Sequence, residues 1–257
     1  MQTRITQAVI AAGGQGTRLR PTTETIPKVM IPILGKPLLE WHVEQFKKHG
    51  VTEFFFTLQY LPDVITNYFG DGSKWGVKIN YFVEKEPLGS AGGIKAFEGK
   101  LGPEFFFIYG DTFSLVDYTK MAAEWAKEPA DALGMQRMKK TQDYADADVA
   151  ELDAEGKFVA IHTKPHSAVY PNAYRMRGVF IMRKEILSYV PASPKLQRGE
   201  PANTAYDLGK KLLPDIVQRN LKFYSYECDD YSKGIDTVEK WKEVEENLKK
   251  LQSEGKT

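Results

Sequence analysis

Short apolar runs alternate with stripes of helical period through the first half of the chain, which reads as strands and helices taking turns. Ala8-Val9-Ile10-Ala11-Ala12 is an apolar run suited to a buried strand, and glycines follow it at once. Pro37 stands where a first helical turn favours it, and Leu38, Leu39, His42, Val43 and Phe46 share one helical face that ends at Gly50. Glu53-Phe54-Phe55-Phe56-Thr57-Leu58 predicts a buried strand, Asp63 to Phe69 a helix, and Val77, Ile79, Tyr81 and Val83 alternate as a strand should. Another helix is expected from Ala91. Phe105-Phe106-Phe107-Ile108-Tyr109 is apolar throughout, as in a central strand covered on both faces, and it stops at Gly110-Asp111.

The second half is less regular. Val149 to Asp153, the turn Ala154-Glu155-Gly156-Lys157 and Phe158 to Ile161 read as a hairpin, expected to roof a substrate pocket. Met176 to Met182 reads as a strand, Tyr206 to Gln218 as a helix, Leu221 to Cys228 as a strand and Val238 to Leu251 as a charged amphipathic helix; Gln252 to Thr257 is expected to fray. Alternation of this kind predicts an α/β fold with a mostly parallel central sheet wrapped by helices, and ligands at the carboxyl ends of its strands. The segments Gly13 to Lys28 and Glu84 to Gly93, together with Asp111, fall at those ends.

Composition narrows the functional class. A chain of 257 residues with 42% hydrophobic content can bury a full core, and one domain is expected. A net charge of +1 argues against an electrostatically driven nucleic-acid or membrane surface, so a basic patch has to be local. Cys228 stands alone and reads as packing; no Cys/His cluster marks a zinc site, and a reducing compartment fits. The first strand begins too early to leave room for a secretion signal, and no apolar run has the length of a membrane span, so the expected location is cytoplasmic. No internal repeat is present.

The chemistry concentrates in Gly13-Gly14-Gln15-Gly16-Thr17-Arg18-Leu19-Arg20-Pro21, closed by Pro27-Lys28. Glycines let the chain turn sharply and aim bare N–H groups at an anion. Arg18 adds a planar fork and Lys28 a mobile point charge, the equipment to hold a triphosphate and to stabilise charge on its α-phosphate. Two familiar motifs do not fit. A dinucleotide fingerprint needs a third glycine where Leu19 sits, and a P-loop needs Gly-Lys-Ser/Thr where Gly16-Thr17-Arg18 stands. Asp111, just past a buried strand, is suited to Mg²⁺, which takes one or two carboxylates plus phosphate oxygens; a loop or cap aspartate is the plainer alternative.

The pattern G-G-x-G-T-R-L-x-P-x-T followed by P-K resembles the signature of the sugar-1-phosphate nucleotidylyltransferases, the NDP-sugar pyrophosphorylases. The resemblance spans nearly the whole chain, strongly from Ala8 to Asp111 and weakly after Pro165. It implies a Rossmann-like nucleotidyltransferase fold, with residues 1–115 serving the nucleotide and 116–257 the sugar phosphate. The implied substrates are a nucleoside triphosphate and a sugar 1-phosphate, the implied cofactor is Mg²⁺, and a homo-oligomer stays open. Carried over by position, Arg18, Lys28 and Asp111 become catalytic, while Ala11, Gly13, Gly14, Gly16 and Thr17 contact the nucleotide. Glu84, Pro87, Gly89 and Ser90, within Glu84-Lys85-Glu86-Pro87-Leu88-Gly89-Ser90-Ala91-Gly92-Gly93, resemble the base-reading loop, and the close backbone approach that Gly89 permits suits that task.

Gly110, Lys164, Asn172 and Gly178 take the sugar-phosphate positions, and Asp111 with Asp236 the metal. Two departures stand out. Thr163-Lys164-Pro165 stands where the family usually carries Glu-Lys-Pro, so the sugar-hydroxyl contact implied for that glutamate is not carried over to Thr163. Gly234-Ile235-Asp236-Thr237 exchanges the acid and glycine of the usual Asp-Ile-Gly-Thr, and Asp236 is either the second metal carboxylate or a cap for the helix near Val238. The run Glu-Pro-Leu-Gly-Ser-Ala-Gly looks most like guanylyltransferases acting on mannose or manno-heptose 1-phosphate, with uridylyl- and thymidylyltransferases as alternatives. A non-catalytic paralogue that senses nucleotide sugars is the alternative of another class. The chain carries no hexapeptide-repeat β-helix, so a second, acyltransferase activity is not expected.

Overall fold

Strand β1 (Gln7–Ala11) opens a series of alternating elements in the computed structural model, which describes residues 4–141, 147–166, 168–170, 172–194 and 205–255. The short strands β2 (Pro32–Ile33) and β3 (Lys36–Pro37) lead into helix α1 (Leu38–Lys48). Then come β4 (Glu53–Leu58), α2 (Pro62–Phe69), β5 (Lys78–Val83), α3 (Gly89–Lys95), β6 (Glu104–Tyr109), β7 (Thr112–Ser114) and α4 (Tyr118–Trp125). The second half holds β8 (Gly134–Lys140), β9 (Val149–Leu152), β10 (Phe158–His162) and β11 (Tyr174–Arg183). It closes with α5 (Leu213–Gln218), β12 (Phe223–Glu227), β13 (Ser232–Gly234) and α6 (Val238–Ser253).

The chain forms two compact units that interleave along the sequence. The first comprises residues 1–85, 108–119 and 230–257, and the second residues 86–107 and 120–229. The expected division at residue 115 follows chain order; the units do not, since residues 86–107 join the second and 230–257 return to the first.

In the first unit β1 lies between β4 and the last residues of β6, and β5 lies beyond β4. β1, β4 and β5 run parallel, with Val9 opposite Phe55 and Phe55 opposite Asn80. Ala8, Val9 and Ile10 of β1 and Phe54, Phe55 and Phe56 of β4 are fully buried, so a continuous apolar run here means cover on both faces. The buried face of α1 consists of Leu38, Leu39, His42, Val43 and Phe46, the stripe read from the sequence. A second cluster gathers Leu19, Ile31, Ile33, Leu38, Phe113, Ile235, Val244 and Leu248. It ties the glycine loop, β7, β13 and α6 into one apolar base.

In the second unit the strand order is β10, β9, β11 and the first residues of β6, with β8 paired to β11 and β12 to β8. β12 runs parallel to β8, whereas β8 and β9 run antiparallel to β11. The expected hairpin is present as β9 and β10, turned by Gly156 at φ 80° and tied by the Asp153 carboxylate, which accepts from the Glu155 and Lys157 N–H groups. The helix expected from Tyr206 begins later and in two parts. A π-helical turn, Leu208–Leu212, is capped by Asp207 and passes into α5. At the far end α6 continues ordered to Ser253, two residues into the tail expected to fray; residues 256 and 257 lie outside the described residues. No described helix is long and apolar enough to cross a membrane.

Candidate functional site

The glycine loop leaves β1 at Ala11, where the Ala12 N–H donates to the Thr57 carbonyl (2.9 Å). Gly16 is left-handed at φ 65°, and a Cβ there would stand 2.9 Å from Lys28 Cβ and 3.1 Å from Thr23 Cγ2. Glycine is therefore required twice over, by conformation and by the close passage of the Lys28 stem. The Thr23 hydroxyl and the Leu19 N–H both donate to the Gly16 carbonyl, at 2.7 and 2.8 Å, and fix the turn. A Cβ at Gly14 would meet nothing within 4 Å, so this stretch of loop backbone is open to a ligand. Thr17 and Arg18 are exposed beside it.

Two cations and two carboxylates meet at this loop. Lys28 Nζ donates to Asp111 Oδ2 at 2.6 Å, with the lysine side chain 11% exposed and the aspartate 39%. Arg18 Nη1 lies 3.0 Å from Asp236 Oδ2, and Lys240 Nζ lies 2.8 Å from Asp236 Oδ1. The reason for the meeting is in the core beneath: Leu19 and Ile235 share one apolar cluster, and Arg18 and Asp236 are their immediate neighbours. β13 pairs antiparallel with β7 through Gly234 and Thr112, and the Ile235 N–H donates to the Asp111 carbonyl at 2.8 Å.

Burial would raise the pKa of the Asp236 carboxyl, but Lys240, Arg18 and Lys28 hold it below the usual carboxylate range, so it is ionised at neutral pH. The helix-cap alternative for Asp236 does not hold. The N-cap of α6 is Thr237, whose hydroxyl accepts from the Lys240 N–H.

The two acids fit a magnesium ion. They are hard oxygen donors, at least one is firmly ionised, and a site of one or two carboxylates is the ordinary protein share when phosphates supply the rest. Among the described residues no group of three or more His, Cys, Asp or Glu forms a self-sufficient metal cage. In the structure each acid is held by a cation suited to phosphate, so arrival of a polyanion lets both pairs exchange partners without stranding a charge.

His42 is the buried residue of this site that the sequence pattern did not single out. Its Nε2 lies 3.0 Å from the Gly110 carbonyl. A carbonyl only accepts, so the ring carries its proton on Nε2. Desolvation lowers its pKa to about 4, against the opposing pull of the Gly110 bond and Asp111, and the ring is neutral. The visible signal was a polar ring inside an otherwise apolar helical stripe. Lys240 was also missed; its one mark was a spacing of four residues from Asp236 on the start of α6.

The base-loop residues lie along the exit of β5 and the start of α3. Glu84 is half-buried and its N–H donates to the Leu58 carbonyl at 2.7 Å. Pro87 is also half-buried. Gly89 has φ 77°, and a Cβ there would stand 2.6 to 2.7 Å from the backbone of Ala205 and Tyr206. The close backbone approach foreseen at Gly89 is thus made by the chain itself. Ser90 donates to Asp207 Oδ2 (2.7 Å) and accepts from the Leu208 N–H (2.8 Å), a clasp that ties α3 to the π-helical turn.

The sugar-phosphate candidates are divided between the units, Gly110 in the first and Lys164, Asn172 and Gly178 in the second. Gly110 is packed so closely that a Cβ would stand 2.5 Å from the Ala11 carbonyl oxygen and 2.8 Å from Val29 Cγ1, which gives this glycine a packing reason. Lys164 is exposed in the second unit, and its N–H donates to Asp148 Oδ1 at 3.0 Å. Asn172 is exposed in a turn, and Gly178 sits in β11 where the pairing with β8 shifts register between Met176 and Phe180.

A Rossmann-like α/β framework with a cation-bearing glycine loop and two acids beside it defines the nucleotidyltransferase class of protein. The chain belongs to the nucleotidyl transferase family, which it matches over residues 7–246. It is 31% identical over 235 residues to a UTP–glucose-1-phosphate uridylyltransferase of Synechocystis, covering 87% of this chain and 58% of that protein. It is 39% identical over 182 residues to a D-glycero-alpha-D-manno-heptose 1-phosphate guanylyltransferase of Campylobacter jejuni, covering 71% of this chain and 78% of that one. The crystal structure of HddC from Yersinia pseudotuberculosis shares the fold, with a TM-score of 0.75 at 24% identity over 95% of this chain and 100% of that one.

Proposed function

We propose that the protein transfers a nucleotidyl group from a nucleoside triphosphate to a sugar 1-phosphate, forming an NDP-sugar and pyrophosphate. The observation that carries this reading is the pairing of Arg18 and Lys28 with Asp236 and Asp111 around the open glycine loop. Two cations and two acids, held together before any ligand arrives, suit a reaction in which one anion must attack another.

A sugar-phosphate oxygen attacks the α-phosphorus in line, the bond to the β-phosphate oxygen breaks, and pyrophosphate departs with the electron pair. No base is needed, because the attacking phosphate is already ionised. Lys28 holds the α-phosphate and Arg18 meets the charge that grows on the leaving group. Ala11, Gly13, Gly14, Gly16 and Thr17 cradle the phosphates. Glu84, Pro87, Gly89 and Ser90 border the base, and Gly110, Lys164, Asn172 and Gly178 serve the sugar phosphate. Asp111 and Asp236 would hold Mg²⁺, and the chemistry gained with it is neutralisation of phosphate charge.

GTP with a mannose-type or heptose 1-phosphate is the favoured pair, supported by the Glu86-Pro87-Leu88-Gly89-Ser90-Ala91-Gly92 run and by the guanylyltransferase relative. The product would feed cell-surface polysaccharide synthesis from the cytoplasm. Pyrophosphate detection across GTP, UTP and TTP with a panel of sugar 1-phosphates tests the reading. Turnover with GTP and a manno-configured substrate supports it; turnover only with another base moves the specificity, and binding without turnover indicates a sensor.

A further inference from the structure

The Asp111 carboxylate is held by backbone as well as by its own contacts, and the holding group that no motif marks is His42. The Gly110-Asp111 segment leaves β6 and is pinned at three points. The Gly110 N–H donates to the Ala11 carbonyl (2.9 Å), and the Asp111 carbonyl accepts from the Ile235 N–H (2.8 Å). Between these, the Gly110 carbonyl accepts from His42 Nε2 at 3.0 Å, inside the protein. The peptide that carries Asp111 is therefore bonded on both sides, and the imidazole holds the carbonyl between those two contacts. The glycine has no room to yield, since even a methyl group at its Cα would strike the Ala11 carbonyl oxygen.

Helix α1 is rigidly placed for this task. Trp41, the residue before His42, donates its indole N–H to the Ile33 carbonyl (3.0 Å) and packs edge-on against Phe113, two residues beyond Asp111. Successive residues of α1 thus grip both ends of the segment from Gly110 to Phe113. An apolar residue at position 42 would satisfy the helix stripe equally well, so the choice of histidine calls for a reason beyond packing.

We propose that His42 is a positioning residue: through the Gly110 carbonyl it sets the peptide that aims Asp111 at Lys28 and at the metal–phosphate ligand. This rests on the nucleotidyl-transfer reading of the same site. Its sign is a loss of metal–nucleotide binding and turnover when the N–H can no longer reach Gly110, with the sugar-phosphate KM left alone.

The test compares two polar variants of different reach. His42→Gln places an N–H close to the position of Nε2, whereas His42→Asn is too short to span the gap. Mn²⁺ binding is titrated by electron paramagnetic resonance with GTP, and separately with UTP, in the absence of sugar phosphate; melting temperature, kcat and KM are measured alongside. His42→Asn should weaken Mn²⁺ binding and lower kcat by about tenfold, the lower end of the effect of groups that orient metal ligands, and His42→Gln should recover most of both. Equal Mn²⁺ binding by the wild type, His42→Gln and His42→Asn overturns the proposal, and so does a loss confined to melting temperature. Absence of Mn²⁺ binding by the wild type overturns it too. If His42→Asn does not fold, His42→Phe fills the volume without a donor and takes its place. Should the wild type release no pyrophosphate with any substrate pair, the nucleotidyl-transfer reading fails, while the Mn²⁺ comparison still decides the role of His42.

Discussion

At the glycine loop of the first unit, Arg18 and Lys28 each meet a carboxylate, and the Asp111 carbonyl accepts from the Ile235 N–H. In the second unit, Lys164 and Asn172 stand exposed on turns of the chain. The difference bears on which kinetic quantity each group controls. A charge already held in place spends no ordering entropy when a transition state forms, and its contribution appears in turnover. A cation that meets a phosphate whose charge does not change along the reaction serves ground state and transition state alike, and its contribution appears in ligand binding. Substitutions in the two regions should therefore separate kcat from KM.

The widest separation is expected at Arg18. Arg18→Ala should lower kcat by roughly a hundredfold or more, the usual effect of removing one preorganised electrostatic donor, while nucleotide affinity changes far less. Steady-state kinetics beside direct nucleotide titration reads both quantities, and an unchanged kcat would erase the contrast.

Asp236→Asn comes next. Because Thr237 caps α6, the melting temperature should hold, while the Mg²⁺ concentration needed for half-maximal rate rises by about tenfold or more. Full activity at limiting Mg²⁺ would leave Asp236 as a counter-ion for Arg18 and Lys240 alone.

On the other side of the comparison, Lys164→Ala should raise the KM for sugar 1-phosphate by about tenfold, as for one lost charged hydrogen bond, with kcat little altered. A kcat loss as large as that of Arg18→Ala would show that Lys164 also meets charge that develops in the transition state.

The remaining effect is on stability. Burial lowers the His42 pKa from 6.5 to about 4, and burial also lowers that of His49, with Asp117 opposing. As pH falls below 6.5 the unfolded chain takes up these protons first, so stability is complete above 6.5 and declines toward pH 4. For His42 the full decline is on the order of 3 kcal/mol. Denaturant titrations across that window, without metal, should show the slope in the wild type and a shallower one in His42→Gln.

Much of the first unit was legible because its signals are local. The α1 stripe, the bounds of β4 and the stop of β6 at Gly110 follow from periodicity and from glycine or proline punctuation. The loop cations and both aspartates could be named as a group from their motifs. β7 and β13 could not, because three-residue strands carry no period, and their pairing is what brings Ile235, the residue before Asp236, onto the Asp111 carbonyl. β8 was hidden by Gln136 and Arg137, polar residues buried in mid-strand; the Arg137 Nη2 group donates to the Cys228 carbonyl. The return of residues 230–257 to the first unit is a long-range outcome of core packing. The resemblance assigns Gly89 to the nucleobase and Ser90 to the nucleotide, and the structure adds contacts to Ala205, Tyr206 and Asp207 that no local pattern could announce.

Pyrophosphate release with GTP and a manno-configured sugar 1-phosphate, each also supplied alone, is the most direct measurement of the central claim that the loop cluster transfers a nucleotidyl group between two bound anions. The account predicts Mg²⁺-dependent release only when both substrates are present, with an NDP-sugar formed in equal amount. Release from the triphosphate alone would mark a hydrolase, and no release across all bases and sugars would contradict the account.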